Sequence, residues 1–129
     1  MAVQPNHTIA HATDPLVSAT FFTEMLGLDP PTYYAPFQVV ELDNGASIDF
    51  LAAGDYRIEA LHYAFLVTDE EFDEIFGRIT ERGLDYWADP HKNRPGEVND
   101  HDGGRGVYWE APDGHLLEII TVPYGGWPD

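Results

Sequence analysis

Apolar and polar residues alternate along several short stretches of the chain, as they do in β-strands that bury one face. The clearest stretches flank two tight turns, Asn44-Gly45 and Asp113-Gly114. Asn-Gly and Asp-Gly between such stretches are strong signals for β-hairpins. The pattern therefore predicts hairpins of 37–42 with 47–51 and of 107–111 with 116–121, with further short strands near 33 and at 86–88.

Another stretch has the three- and four-residue spacing of an amphipathic helix. Its apolar positions are Phe72, Ile75, Phe76 and Ile79. Asp14 is suited to cap the first helix, and Thr68 with Glu71 has the spacing of a capping box before the second. Gly27 and Gly83 supply the left-handed residue that closes a helix. The sequence therefore predicts one helix in each half of the chain.

The two halves repeat the same order of features, which indicates an internal duplication. His7 and His62 lie equally far before a predicted helix, and Asp49 and Glu118 lie equally far after a turn glycine. We expect an α+β fold of two βαβββ modules with pseudo-two-fold symmetry. The modules are predicted at about 5–54 and 60–124, within a single domain of residues 1–129.

The matched histidines and carboxylates are candidates for a metal site. Strand alternation places His62, Glu118 and Asp49 on the face opposite the apolar one that packs on the helix. A carboxylate in such an apolar strand is costly unless it is exposed, paired or bound to a metal. One histidine or glutamate in a strand is usually only structural or exposed. Four repeat-matched positions, including His7, favour a single cluster instead.

Composition narrows the chemistry further. The chain has no cysteine, which excludes disulfides, thiolate metal sites and a cysteine nucleophile. Six Lys and Arg against 23 Asp and Glu give a net charge of −17, which disfavours nucleic acid as a partner. The acidity either serves solubility or attracts a cationic ligand. Without a leader-like start or a membrane-length apolar run, the expectation is a cytoplasmic protein with no membrane partner.

The chain resembles the vicinal oxygen chelate superfamily, which includes glyoxalase I, extradiol dioxygenases and bleomycin-resistance proteins. The resemblance extends from His7 to about Tyr124 and is most specific in Gly-Val-Tyr-Trp-Glu-Ala-Pro-Asp-Gly-His-Leu-Leu-Glu, which ends at Glu118. It implies a divalent metal ion (Zn, Ni, Mn, Co or Fe) held by His7, His62 and Glu118. Asp49 stands where glyoxalase I has a longer glutamate. It is therefore expected as a loosely held fourth ligand or as a proton acceptor beside the metal.

The resemblance also implies a function. We expect a metal-dependent enzyme of the lyase, isomerase or transferase class that acts on a small oxygenated substrate chelated by the metal. Asp49 and Glu118 are the expected catalytic residues. Arg105 and Trp109, which lie on the strand expected beside Glu118, and His101 in the long loop are the expected substrate contacts, and a surface ion pair is the alternative for Arg105. Small members of the family usually form homodimers. The alternative is a non-catalytic protein of the bleomycin-resistance type that sequesters a cationic drug.

The halves differ mainly in the segment 89–104, which is polar and rich in glycine and proline. Long loops of this kind in compact domains usually border a site or are disordered. We expect this segment to be a mobile loop that borders the site, with Arg94 or His101 closer to the metal than Arg57.

Overall fold

The computed structural model describes residues 3–128, which divide between Glu59 and Ala60 into two compact units. Each unit is a four-stranded mixed sheet with one long helix. The elements of each follow one another as strand, helix and three further strands. The predicted fold class of two βαβββ modules is thereby confirmed.

The first unit consists of β1 (His7–Ala12), α1 (Pro15–Leu26), β2 (Thr32–Tyr34), β3 (Phe37–Glu41) and β4 (Ser47–Ala52). Its strands are ordered β1-β4-β3-β2, with β1 parallel to β4 and the other pairs antiparallel. Asp14 caps α1 by accepting hydrogen bonds from two backbone N–H groups, as its position predicts. Phe22 of α1 meets Phe50 of β4 edge-to-face, and both side chains are buried. This contact lies on the sheet face toward the helix.

The second unit consists of β5 (His62–Leu66), α2 (Asp69–Glu81), β6 (Tyr86–Trp87), β7 (Gly106–Glu110) and β8 (Leu116–Ile120). Its order β5-β8-β7-β6, with β5 parallel to β8, repeats that of the first unit. Thr68 and Glu71 form the predicted capping box at the start of α2. The buried side chains on the helix side of this sheet come from α2, β7 and β8: Phe72, Ile75, Ile79, Val107, Trp109, Leu117 and Ile119.

Both hairpins turn through three residues and not two. In the second, the Ala111 N–H donates to the His115 carbonyl, and Pro112, Asp113 and Gly114 lie between them. Gly114 has a φ of 86°, the left-handed conformation that such three-residue turns place at their last position. The extra residue sets the pairing register of β7 with β8, which matters below for the candidate site.

The segment between β6 and β7 has more regular structure than its composition suggests. Trp87 pairs with Pro95 and Asn99 with Gly106 through isolated β-bridges, and His101–Gly103 forms one turn of 3₁₀-helix. The buried Asn99 side chain donates to the Ala88 carbonyl. A β-carbon on Gly106 would lie 2.7 Å from the Asn99 side-chain oxygen. These contacts fix the loop to the start of β7.

Within residues 3–128, neither helix combines the length and the apolar character needed to cross a membrane.

Candidate functional site

Glu118 is a fully buried carboxylate at the centre of β8. It lies between Leu117 and Ile119, which point to the helix side of the sheet, so its own side chain points to the opposite side. Burying a charged carboxylate costs free energy unless partners compensate it. The contacts that surround Glu118 therefore define the candidate site of the second unit.

His62 is the histidine that contacts this carboxylate. Its Nε2 lies 2.9 Å from Glu118 Oε1, and its Nδ1 lies 3.1 Å from the carbonyl oxygen of Leu116. A carbonyl oxygen can only accept, so Nδ1 carries a hydrogen and donates it. The side chain of His62 is 45% exposed, so the imidazole is reached from solvent while the carboxylate is not.

Two tyrosines complete the surroundings of Glu118. The Tyr124 hydroxyl donates to Glu118 Oε2 at 2.5 Å and lies 3.3 Å from the Tyr108 hydroxyl. The Tyr108 ring stacks on the His62 ring, with centroids 5.8 Å apart. Burial, followed by hydrogen bonding to Tyr124 and Glu118, raises the pKa of Tyr108. Burial and the bond to Glu118 likewise raise the pKa of Tyr124, so both phenols stay protonated as hydrogen-bond donors.

The pair of His62 and Glu118 fits a metal ion. With Nδ1 bound to a carbonyl, the lone pair of His62 Nε2 faces a carboxylate oxygen across 2.9 Å. Two acceptors at this distance require a proton or another cation between them. Metal-ligating histidines typically donate their second ring N–H to a carbonyl or carboxylate, which fixes the ring and its tautomer. A proton on Nε2 would satisfy the pair, and so would a divalent cation bound to both atoms.

The first unit repeats this arrangement in its backbone register. His7 pairs with Ser47 and His62 with Leu116, and in each case the matched carboxylate lies two residues further along the neighbouring strand. The contacts of the two carboxylates differ. Glu118 contacts the matched histidine, whereas Asp49 accepts a hydrogen bond from the Ser47 hydroxyl at 2.8 Å. The Nδ1 of His7 donates to the Asn6 side-chain oxygen at 2.7 Å, so Nε2 is the ring nitrogen on which a metal could bind.

The structure brings together two of the four predicted ligands. Across residues 3–128, no three or more His, Asp or Glu side chains lie close enough together to hold one metal ion. His62 and Glu118 form a pair in the second unit, while His7 and Asp49 belong to the first. The complete predicted ligand set of His7, His62, Glu118 and Asp49 therefore stays a prediction.

Two of the predicted substrate contacts lie on the opposite side of the sheet from Glu118. Trp109 pairs with Leu117 and is fully buried on the helix side. The Arg105 guanidinium lies over the Phe72 ring of α2, with 4.3 Å from its central carbon to the ring centroid, and it hydrogen-bonds Asp69 and Asp73. The expectation that Arg105 and Trp109 line the site around Glu118 is therefore corrected.

The residue across the ladder from Glu118 is Tyr108, which sequence reasoning missed. A two-residue turn at Asp113-Gly114 would pair Glu118 with Trp109 instead. The three-residue turn shifts the register by one, and a one-residue shift moves every side chain of a strand to the other face. The proline before Asp113 is the one signal in the sequence that argues for the longer turn.

His101, the third predicted substrate contact, lies in the exposed 3₁₀ turn of the loop. Its backbone N–H donates to the Asn99 side-chain oxygen at 3.3 Å. The neighbouring Asp102 binds the chain that follows β8, because its carboxylate accepts from the Gly125 N–H at 3.0 Å. The loop is thus joined to the C-terminal segment that supplies Tyr124.

A groove of about 660 Å³ lies elsewhere in the second unit, beside the start of α2. Arg105, Thr68, Thr121 and Trp127 are among the residues that line it, whereas His62, Glu118 and Tyr108 are not. Arg105 therefore borders this groove, which the residues around the buried carboxylate do not line.

Solved structures with two such modules include close relatives of this chain. The structure titled oxidase ChaP-H1 is 62% identical, covers 97% of this chain and 100% of its own, and superposes with a TM-score of 0.94. Oxidase ChaP-H2 is 55% identical, covers 98% of each chain and has the same TM-score. A glyoxalase/dioxygenase from Nostoc punctiforme, 21% identical with a TM-score of 0.69 over 91% of this chain and 89% of its own, shares the fold.

Two curated proteins are also similar in sequence. Glutathione transferase FosA of Serratia marcescens is 28% identical over an alignment of 130 positions, which covers 88% of this chain and 77% of FosA. Metallothiol transferase FosB of Shouchella clausii is 35% identical over 67 residues, which are 52% of this chain. That matched segment spans 42% of FosB, less than half of its length. No family model matches the chain.

The fold and the matched histidine and carboxylate positions define a protein built from two βαβββ modules of the glyoxalase type. The chain belongs to the vicinal oxygen chelate superfamily.

Proposed function

We propose that the protein is a metal-dependent enzyme in which His62, Glu118 and His7 hold a divalent cation. The observation that carries this proposal is the fully buried Glu118 carboxylate, whose Oε1 lies 2.9 Å from His62 Nε2. His7 is included because its backbone register to Asp49 repeats that of His62 to Glu118. Asp49, one methylene shorter and bound to Ser47, is proposed to accept a proton beside the metal.

We further propose that the reaction is an oxidation with dioxygen as the oxidant. The sequence alone favoured a lyase, isomerase or transferase, but the chains 62% and 55% identical to this one are titled oxidases. In a two-electron oxidation the substrate loses two electrons and two protons, and dioxygen takes them up as hydrogen peroxide. The transferase names of FosA and FosB support group transfer as the second candidate.

The residues of the second unit have distinct proposed roles around a small oxygenated substrate. A bound divalent metal with open positions would bind two neighbouring substrate oxygens and act as a Lewis acid. The Leu116 carbonyl orients His62 through Nδ1, as carbonyl and carboxylate groups orient other metal-binding histidines. The stacked Tyr108 ring would exclude water from one side of His62.

The proposed ligand set is tested by substituting each of two histidines on one face of β1. His7→Ala is expected to lower the affinity for Co²⁺ strongly, because it removes a proposed ligand. His11→Ala is the matched control, since His11 lies on the same exposed strand face and its counterpart in the second unit is Leu66, not a histidine. The dissociation constant of Co²⁺ is measured by titration of its visible absorption. Equal affinities for the two variants would remove His7 from the ligand set.

The reaction class is tested by dioxygen uptake. The protein is loaded anaerobically with Fe²⁺, Mn²⁺ or Co²⁺ and mixed with aromatic compounds that carry two neighbouring oxygens. We expect at least one metal to support uptake of one dioxygen per substrate oxidised, with hydrogen peroxide as product. If such compounds are converted without consumption of dioxygen, the proposal of an oxidation is wrong and a lyase, isomerase or transferase reaction is favoured instead.

The binding-protein alternative and the homodimer stay predictions. The cited relatives carry enzyme names, which is why an enzyme is preferred here. A purified protein that binds no divalent metal, yet binds a cationic drug, would reverse this preference.

A further inference from the structure

The chain beyond β8 folds back over the second unit instead of leaving it. Thr121 exchanges two hydrogen bonds with Arg105, one through its backbone N–H and one through its hydroxyl. A β-carbon on Gly104 would lie 2.7 Å from Thr121 and Val122 side-chain atoms, so the two segments approach as closely as a glycine allows. We call residues 121–126 the C-terminal tail.

A turn then directs the tail toward Glu118. The Gly126 N–H donates to the Pro123 carbonyl at 2.8 Å, and Gly125 has a φ of 84°. The Gly125 N–H donates to the carboxylate of Asp102, itself in the left-handed region with a φ of 55°. The tail is thus held at Thr121 by Arg105 and at Gly125 by Asp102. Tyr124 lies between these two points, and its hydroxyl reaches the buried carboxylate although the residue is largely exposed.

The two oxygens of Glu118 therefore have different partners. Oε2 accepts from the Tyr124 hydroxyl at 2.5 Å, and Oε1 faces His62 Nε2 at 2.9 Å. A carboxylate on a flexible glutamate side chain can rotate, and a donor on one oxygen restricts that rotation. The short Tyr124 bond thus directs the other oxygen toward the histidine.

We propose that Tyr124 is a positioning residue for the metal ligand Glu118, and that the Asp102–Gly125 contact holds the tail that presents it. This inference rests on the proposed metal site. Hydrogen-bond partners of metal ligands orient them, and their loss typically costs about 10- to 100-fold in metal affinity. The Tyr124 hydroxyl occupies Oε2 of Glu118, so Oε1 is the oxygen that would bind the cation.

The test uses the full chain and Co²⁺ as the probe. Tyr124→Phe removes only the hydroxyl and is expected to weaken Co²⁺ binding about 10- to 100-fold. Tyr56→Phe, an exposed tyrosine of the first unit, is the matched control and should bind Co²⁺ as the unchanged protein does. The Co²⁺ d–d absorption spectrum should also change for Tyr124→Phe, because the orientation of Glu118 changes. Thermal unfolding without metal verifies that both variants are folded.

Asp102 provides a second pair of variants. Asp102→Gly tolerates the positive φ but loses the acceptor for Gly125, so it should weaken Co²⁺ binding in the same direction as Tyr124→Phe. Asp102→Asn keeps both the acceptor and a residue that tolerates this conformation, so it should bind nearly as tightly as the unchanged protein.

The outcomes separate this inference from the proposed function. If the unchanged protein binds no Co²⁺, the metal site itself is wrong. If the unchanged protein binds Co²⁺ and Tyr124→Phe binds it equally well or more tightly, the metal site stands and the positioning role of Tyr124 is overturned.

Discussion

Glu118→Gln is expected to remove most of the metal affinity of this protein. The substitution keeps the size of the side chain but replaces a charged oxygen ligand by a neutral amide in a fully buried position. We expect the loss to exceed the roughly 100-fold that is typical when only a hydrogen-bond partner of a ligand is removed. Equilibrium dialysis with Co²⁺ and elemental analysis after purification both measure it.

Asp49→Asn is the matched change in the first unit and should behave differently. Asp49 occupies the repeat-equivalent register position, but its carboxylate is shorter and accepts from the Ser47 hydroxyl. We expect Asp49→Asn to keep the metal and to lower turnover, because a proton acceptor is lost. A loss of metal as complete as that of Glu118→Gln would make Asp49 a direct ligand. Unchanged metal content in both variants would argue against the site as a whole.

Trp109→Ala is expected to destabilise the fold by about 3–5 kcal/mol, the range for removing a large aromatic side chain from a core. Trp109 is fully buried on the helix side of the second sheet, so its removal leaves a large cavity. That range is a large fraction of the roughly 5–15 kcal/mol that stabilises a typical domain. Urea unfolding monitored by circular dichroism measures the change in the free energy of unfolding.

Two further tryptophan variants complete this experiment. Trp127→Ala is the control, since Trp127 is exposed, and it should change the free energy of unfolding by about 0.5 kcal/mol or less. Trp109→Phe should cost less than Trp109→Ala, because it keeps an aromatic ring. It also removes an indole N–H that has no hydrogen-bond partner among the residues the structure describes. A Trp109→Ala protein as stable as Trp127→Ala would place this side chain outside the core.

The local elements could be predicted because each depends on residues close in sequence. Asp14 and the Thr68–Glu71 box begin the helices where their chemistry predicts, and the predicted hairpins appear within a residue or two at each end. The duplication is visible in sequence for the same reason, since the spacing of His7 and His62 from their helices is a local property. His62 and Glu118, separated by 56 positions along the chain, come together because β5 pairs with β8 in the repeat order.

The sequence by itself determined the two βαβββ units, the capped helices and the strand positions of the matched histidines and carboxylates. Only the tertiary structure decided which face of β7 meets Glu118, because one extra residue in the Pro112-Asp113-Gly114 turn exchanges Trp109 for Tyr108. It also decided the position of Tyr124, whose contact depends on a loop and a tail with no periodic pattern. Hydrophobic periodicity specifies an element and its buried side. It does not specify the register between two strands or the path of an irregular segment, which depend on hydrogen bonds between residues distant in sequence.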